Sequence, residues 1–155
     1  MNHEGINIKR LTKDDLVFFQ NLIRLFNEVF EVKTTEIASN PQLEKLLKQD
    51  SFVALAAISD GEVIGGITAY EMQMYSGDCS EIYIYDMAVK TTSQHMGIGK
   101  KLINSLKEHC LSHNIINIFV EAHEVDKHAV NFYTSAGGIP EKVVHFNFNS
   151  GGIAV

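Results

Sequence analysis

Apolar and polar residues alternate over residues 5–10 (Gly-Ile-Asn-Ile-Lys-Arg), which predicts a short strand. Thr12 follows as an expected N-cap, with Asp14 and Asp15 in the first turn. Leu16, Phe19, Ile23, Phe26 and Phe30 then recur at helical spacing and predict an amphipathic helix over 13–31. Phe19, Phe26 and Phe30 read as its core stripe. Asn40-Pro41 supplies a cap and a first-turn proline. With Leu43, Leu46 and Leu47 it predicts a second helix over 41–49. The period then changes. Residues 51–58 are almost continuously apolar, Asp60-Gly61 is a hairpin signal, and 62–70 returns as a strand. Residues 80–89 (Ser-Glu-Ile-Tyr-Ile-Tyr-Asp-Met-Ala-Val) make another strand, rich in tyrosine and isoleucine. Thr91-Thr92-Ser93 lead into Gly97-Ile98-Gly99, and Leu102, Ile103, Leu106 and Cys110 mark a helix to about His113. A buried strand over 115–122, a helix over 127–136 stopped by Gly137-Gly138, and a last strand over 141–148 complete the pattern. The order β-α-α-β-β-β-α-β-α-β predicts an α/β fold, one mixed sheet with helices on both faces. No linker or repeat divides the 155 residues, so one domain over 1–155 is expected.

Charge narrows the partners. The formal net charge is −6, and the basic residues are scattered apart from local pairs such as Lys9-Arg10 and Lys100-Lys101. A nucleic-acid binder needs a basic stripe, so that class is set aside. An acidic balance suits a cationic or neutral small partner, and it serves solubility equally well. Cys79 and Cys110 form no CxxC and no zinc spacing. Met-Asn-His-Glu-Gly lacks the basic and then apolar pattern of a secretory leader, and no apolar run approaches the roughly 20 residues of a membrane span. A cytoplasmic protein with reduced thiols, away from membranes, is expected.

The densest chemical signal lies in residues 86–103, a strand, a polar turn, two glycines and a helix. Amides at a helix start have no intrahelical acceptor, and the dipole makes that end partly positive. Glycines let an anion come close, so the segment can cradle a phosphate. It is neither a Walker A loop nor a complete dinucleotide loop. A strand-to-helix turn of purely steric purpose would use the same glycines. His109 and His113 share a helix face, but no third ligand falls at metalloenzyme spacing, and histidines suit a helix C-terminus. No metal is expected. Cys110 reads as a core residue.

Gln94-x-x-Gly97-x-Gly99, placed after a strand ending in Met87-Ala88-Val89, resembles the coenzyme A pyrophosphate motif of the GNAT superfamily of acyl-CoA N-acyltransferases. Asp126-x-x-Ala129-x-x-x-Tyr133-x-x-x-Gly137 resembles that family's downstream Asn-x-x-Ala-x-x-x-Tyr-x-x-x-Gly segment. The resemblance covers 5–148. More narrowly, Phe52-Val53-Ala54-Leu55-Ala56-Ala57, Glu81-Ile82-Tyr83-Ile84-Tyr85-Asp86, Ala129-Val130-x-Phe132-Tyr133-Thr134 and Val144-His145-Phe146 are similar to GNAT-type aminoglycoside 3-N-acetyltransferases. The sequence departs from the pattern in three places. Gln94-His95-Met96 stands where arginine is usual, Asp126 where asparagine is general, and His145-Phe146-Asn147-Phe148-Asn149 carries amides where carboxylates would suit an aminoglycoside.

The resemblance implies the GNAT fold, with a mostly antiparallel central sheet, and acetyl-CoA as cosubstrate. It implies backbone contacts to the cofactor from Met87, Ala88 and Val89. Pyrophosphate binding would fall to Gln94, His95, Met96, Gly97, Ile98, Gly99 and Lys100, with Asp126, Ala129 and Tyr133 downstream. Tyr133 matches the family's acid position, since a phenol of pKa about 10 can protonate a departing thiolate of pKa about 8.5. A helix tyrosine packed on the sheet is the plain alternative. The amine must lose a proton, and Asp86 and Glu121, with Glu81, are the candidate bases. An unbroken strand would put Glu81, Tyr83 and Tyr85 on one face and Ile82, Ile84 and Asp86 on the other. Asp86 then either functions or closes the strand's wet end. Glu81, Tyr83, Asp86, Glu121, His123, Glu124 and Asp126 are the expected acceptor contacts, and His123 serves equally as a surface loop residue. The expected acceptor is a cationic small-molecule amine, foremost N3 of a 2-deoxystreptamine aminoglycoside. A polyamine, another small amine or a protein amine, or a module that holds acyl-CoA without turnover, are the alternatives. A homodimer is expected.

Overall fold

A computed structural model describes residues 5–152. The first four residues, on which the reading of the N-terminus partly rests, lie outside the described residues. The chain divides into two compact units, Met1–Glu121 and Ala122–Val155.

The first unit holds one five-stranded sheet in the order β1-β2-β3-β4-β5. Its strands are β1 (Asn7–Arg10), β2 (Phe52–Ser59), β3 (Glu62–Gln73), β4 (Ser80–Val89) and β5 (Ile115–Val120). The first four pair antiparallel, and β5 runs parallel to β4. A parallel neighbour cannot follow a tight turn. The β4-to-β5 connection therefore contains helix α3 (Ile98–Ser112). Asp60 and Gly61 take the positive φ values, 50° and 79°, that the expected Asp-Gly hairpin turn requires.

Helices α1 (Leu16–Val29) and α2 (Asn40–Leu47) cover one face. Phe19, Leu22, Leu25 and Phe26 of α1 and Leu43 of α2 pack with Phe52, Ala54 and Ala56 of β2. Residues between these on β2, such as Val53 and Leu55, point to the other face, where α3 packs and buries Leu102 and Leu106. The expected mixed sheet with helices on both faces is what forms.

Three boundaries differ from expectation. Helix α1 begins at Leu16, because Asp15 folds back: its carboxylate accepts from the Thr12 N–H (2.9 Å) and hydroxyl (3.1 Å) and takes the Lys9 ammonium at 2.5 Å. Thr12 to Asp15 is thus a closed turn and not the helix's first turn. Phe30 lies past the helix end and is 46% exposed, stacked on Phe26, so it does not belong to the core stripe. Ser39, not Asn40, holds the N-cap position of α2, with no side-chain capping hydrogen bond, and the Asn40 side chain accepts from Gln20 instead. The larger correction is the last strand. Residues 141–148 form no ladder among the described residues. A strand pattern specifies alternation but not a partner, and backbone without a partner strand stays irregular.

The second unit holds helix α4 (Lys127–Ser135). Asp126 caps it by accepting from the Ala129 N–H at 3.1 Å. Its end is closed by Gly137 (φ 95°) and by the Gly138 N–H donating to the Tyr133 carbonyl at 2.9 Å, the Schellman pattern.

Candidate active site

Strand β4 supplies most of the predicted residues, and its register decides where they point. Thr68 of β3 stands opposite Asp86, yet Ala69 stands opposite Ile84. Tyr85 is therefore the extra residue of a β-bulge. Directly opposed residues share a face, so Asp86 lies on the face of Thr68, away from Ile84. The expected grouping of Asp86 with Ile82 and Ile84 is corrected: the bulge moves the carboxylate to the side of Tyr83 and Tyr70.

A small acidic and aromatic cluster results. The Tyr85 ring centroid lies 5.7 Å from Tyr70 and 6.3 Å from Tyr83, and Tyr83 lies 5.1 Å from Phe119 of β5. Desolvation pushes the Asp86 carboxyl above the usual carboxylate range. No hydrogen bond or ion pair to that carboxyl forms among the described residues. Burial also raises the Tyr83 phenol, helped by the nearby carboxylates of Glu121 and Asp86, and Tyr70 rises for the same leading reason. Glu121 thus joins the cluster. Glu81 is engaged elsewhere, accepting from Asn117 Nδ2 at 3.1 Å.

Beside this cluster the sheet opens. Pairing of β4 with β5 ends at Ile84 and Val120, while β4 continues to Val89 against β3 alone. Met87, Ala88 and Val89 therefore lie on a stretch whose second edge pairs with no strand among the described residues, and its remaining amides and carbonyls can bind an extended, amide-containing chain as a strand would. The turn that follows carries the glycine motif. Gln94 donates to the Val89 carbonyl at 3.1 Å, His95 takes a φ of 63°, and Gly97, at φ 78°, is the N-cap of α3. A left-handed N-cap explains the glycine. Past it, the first-turn amides of Ile98, Gly99 and Lys100 lack intrahelical acceptors and face the partly positive end of the helix. These residues fit an anionic pyrophosphate through backbone donors.

The remaining predicted residues, His123, Glu124, Asp126, Ala129 and Tyr133, belong to the second unit. His123 and Glu124 lie in an exposed turn, in which the Asp126 N–H donates to the His123 carbonyl and the Lys127 ammonium to the Glu124 carbonyl, both at 2.9 Å. Asp126 caps α4, a role that an aspartate and an asparagine fill alike. The spacing from Asp126 to Gly137 is thus the length of one capped helix, with Tyr133 fixed in its last turns.

The expected sharing of one face by Tyr83 and Tyr85 holds, and sequence reasoning missed Tyr70, which the β3–β4 register sets opposite Tyr83, and the approach of Asp86 to these rings, which depends on the bulge. It also missed Gly65 and Gly66, which stand opposite Val89 and Ala88. His109 and His113 stack at 4.1 Å, with desolvation lowering the His109 pKa. Among the described residues no three metal-ligating side chains gather, and no helix is long and apolar enough to cross a membrane.

The sequence pattern of the acetyltransferase (GNAT) family matches residues 19–137. No curated protein matches the chain. Among solved structures, the aminoglycoside acetyltransferase meta-AAC0020 from an uncultured soil metagenomic sample is similar at 38% identity and a TM-score of 0.92, and was solved in complexes with trehalose and with sisomicin. The match covers 95% of this chain and 97% of that one in the trehalose complex. A second aminoglycoside acetyltransferase from such a sample, HMB0005, is similar at 33% identity and a TM-score of 0.88, over 94% of this chain and 98% of that one. AAC(6′)-Iy, solved with the bisubstrate analog CoA-S-monomethyl-acetylneamine, shares the fold at 16% identity and a TM-score of 0.77, over 93% of this chain and 98% of that one.

Proposed function

The chain belongs to the acetyltransferase (GNAT) family, and from that premise we propose that it acetylates a 2-deoxystreptamine aminoglycoside at N3, using acetyl-CoA. The observation that carries the acceptor is the Asp86 carboxylate, desolvated and without a cationic partner among the described residues, on the face of three tyrosines. A carboxylate in that state attracts an ammonium group and gains by taking a proton from it. The similarity to meta-AAC0020, which was solved with sisomicin, supports an aminoglycoside as the amine.

The roles follow from the chemistry. Bound acetyl-CoA would supply the thioester carbonyl and the thiolate leaving group. The unpaired edge of Met87, Ala88 and Val89 would hold the pantetheine arm and polarise the acetyl oxygen, and residues 95–100 would hold the pyrophosphate in a turn that Gln94 braces. Asp86 accepts the amine proton, with Glu121 as the second carboxylate of the cluster. Aminosugar amines are less basic than lysine because neighbouring ammonium groups repel added protons, so a carboxylate of raised pKa suffices. As the C–N bond forms and the C–S bond breaks, the Tyr133 phenol gives its proton to the sulfur. Glu81, Tyr83, His123, Glu124 and Asp126 complete the proposed acceptor contacts.

The family match runs across the boundary at residue 121, which supports the whole chain acting as one N-acetyltransferase domain. A cytoplasmic homodimer belongs to the same reading. Residues 141–148 carry a strand pattern without a ladder among the described residues, and the sheet edge of a second copy would give them one. The test is a thiol-release assay with sisomicin, gentamicin, spermidine and a lysine peptide, with the acetyl group placed by NMR. Acetylation of sisomicin at N3 is expected. Turnover of spermidine with none of either aminoglycoside would overturn the acceptor.

A further inference from the structure

The bulge at Tyr85 re-aims Asp86, and it also leaves an aromatic ring in an unusual state. Tyr85 is 62% exposed, yet its ring is fixed between two others. It meets Tyr70 at an interplanar angle of 78° and Tyr83 at 88°, both edge-to-face. Tyr70 in turn contacts Phe52 at 5.1 Å, and Phe52 contacts Phe19 at 5.7 Å, a core side chain only 2% exposed. On the other side Tyr83 rests on Phe119. Six rings thus form a continuous ladder across β2, β3, β4 and β5, anchored in the core at the Phe19 end. Edge-to-face contacts of this kind favour a fixed ring orientation beyond what area burial supplies. An exposed tyrosine held this way keeps its orientation before any ligand arrives.

Asp86 follows Tyr85 directly on the bulge and lies on the same side of the sheet, and no hydrogen bond or ion pair to its carboxyl forms among the described residues. An electron-rich ring face beside that carboxylate recognises a cationic ring with an apolar face, and it repels anions. An aminocyclitol chair has that character, with C–H bonds on its broad side and ammonium groups at its rim.

We propose that Tyr85 is a positioning residue for the acceptor: its ring seats the aminocyclitol, so that the amine to be acetylated comes to the neighbouring Asp86. This rests on the aminoglycoside reading and adds the surface that orients the substrate. The bulge is then the specificity device, since an unbroken strand would send the ring and the carboxylate to opposite faces.

The experiment compares wild type with Tyr85→Phe and Tyr85→Leu in steady-state kinetics, with sisomicin and acetyl-CoA varied in turn. Leucine fills the space without a π face. The KM for sisomicin is expected to rise about tenfold in Tyr85→Leu, with kcat and the KM for acetyl-CoA within twofold of wild type, and phenylalanine is expected to restore the low KM. An unchanged sisomicin KM in Tyr85→Leu overturns the inference while the aminoglycoside reading stands. So does an equal rise in both KM values, or a Tyr85→Phe variant as impaired as Tyr85→Leu, which would assign the effect to the hydroxyl. A wild type that acetylates no aminoglycoside overturns that reading and this inference with it.

Discussion

The Gln94 side-chain amide donates to the carbonyl of Val89, the last residue of β4, at 3.1 Å. The residue that opens the Gln94-x-x-Gly97-x-Gly99 motif therefore braces the turn from strand to helix. One amide proton is committed to the protein and is not free for a phosphate. Its proposed effect on acetyl-CoA binding is therefore to hold the turn in shape. Gln94→Ala should weaken acetyl-CoA binding about fivefold, the worth of one ordinary hydrogen bond, with kcat retained. Calorimetric titration checks this. A loss beyond a hundredfold would mean that Gln94 binds the cofactor directly.

Gly66 makes a prediction about the fold alone. A Cβ there would lie 2.5 Å from the Leu55 carbonyl oxygen and 2.5 Å from Leu22 Cδ1. The leucine can turn, but the strand carbonyl cannot move without breaking the ladder. Gly66→Ala should destabilise the protein by about 3 kcal/mol, the upper part of the range for overpacked cores. Thermal unfolding measures it, and a shift under about 1 kcal/mol would show that β2 gives way.

Much of this was legible in the sequence, and the exceptions share a cause. The strand over 80–89, the Asp-Gly hairpin and the helix after Gly97-Ile98-Gly99 follow from local periodicity and turn chemistry, and local interactions also build them. The family match over residues 19–137 spans both motif segments. The side of the sheet that Asp86 faces depends on one extra residue in the β3–β4 register, which no periodicity in β4 reveals, and Tyr70 joins through a cross-strand pairing that β4 alone does not name. The strand over 141–148 failed differently. Val144, Phe146 and Phe148 alternate as a strand should, but a ladder needs a neighbour, and sequence alternation names none. Thr12 is not the cap of α1, because the Asp15 carboxylate takes the Thr12 N–H and hydroxyl together with the Lys9 ammonium and closes a separate turn.

Asp86 couples activity to stability with opposite signs. Burial raises its folded pKa above the unfolded value. The folded state then holds the proton more tightly, so the contribution to stability is present below the unfolded pKa and is lost as pH rises through the folded pKa. At neutral pH the ionised group is a cost. Asp86→Asn should therefore raise the Tm at pH 7, and the gain over wild type should shrink as pH falls below the carboxylate range. The same variant should lower kcat by about a hundredfold or more, the usual worth of a general base. In wild type the acid limb of kcat/KM should lie above the ordinary carboxylate value. Equal Tm values at pH 7 would show that the carboxyl is not desolvated, and retained kcat would hand the base role to Glu121.

Tyr133 offers the cleanest separation of structure from chemistry. Its carbonyl accepts the Gly138 N–H at 2.9 Å, and its ring packs on Phe132 at 5.2 Å. Tyr133→Phe keeps both contacts, so α4 and its Schellman end should persist, which circular dichroism checks. If the phenol protonates the sulfur, its proton is needed only as the C–S bond breaks. Loss of an interaction made only in the transition state lowers kcat and kcat/KM together and leaves substrate binding alone. The expected result is a kcat about a hundredfold lower, with the KM for acetyl-CoA within a few-fold. A better leaving group gives a second check. An acyl donor whose thiol has a lower pKa needs less help from an acid, so Tyr133→Phe should cost less with it than with acetyl-CoA. A variant with kcat within threefold of wild type on both donors would show that water supplies the proton.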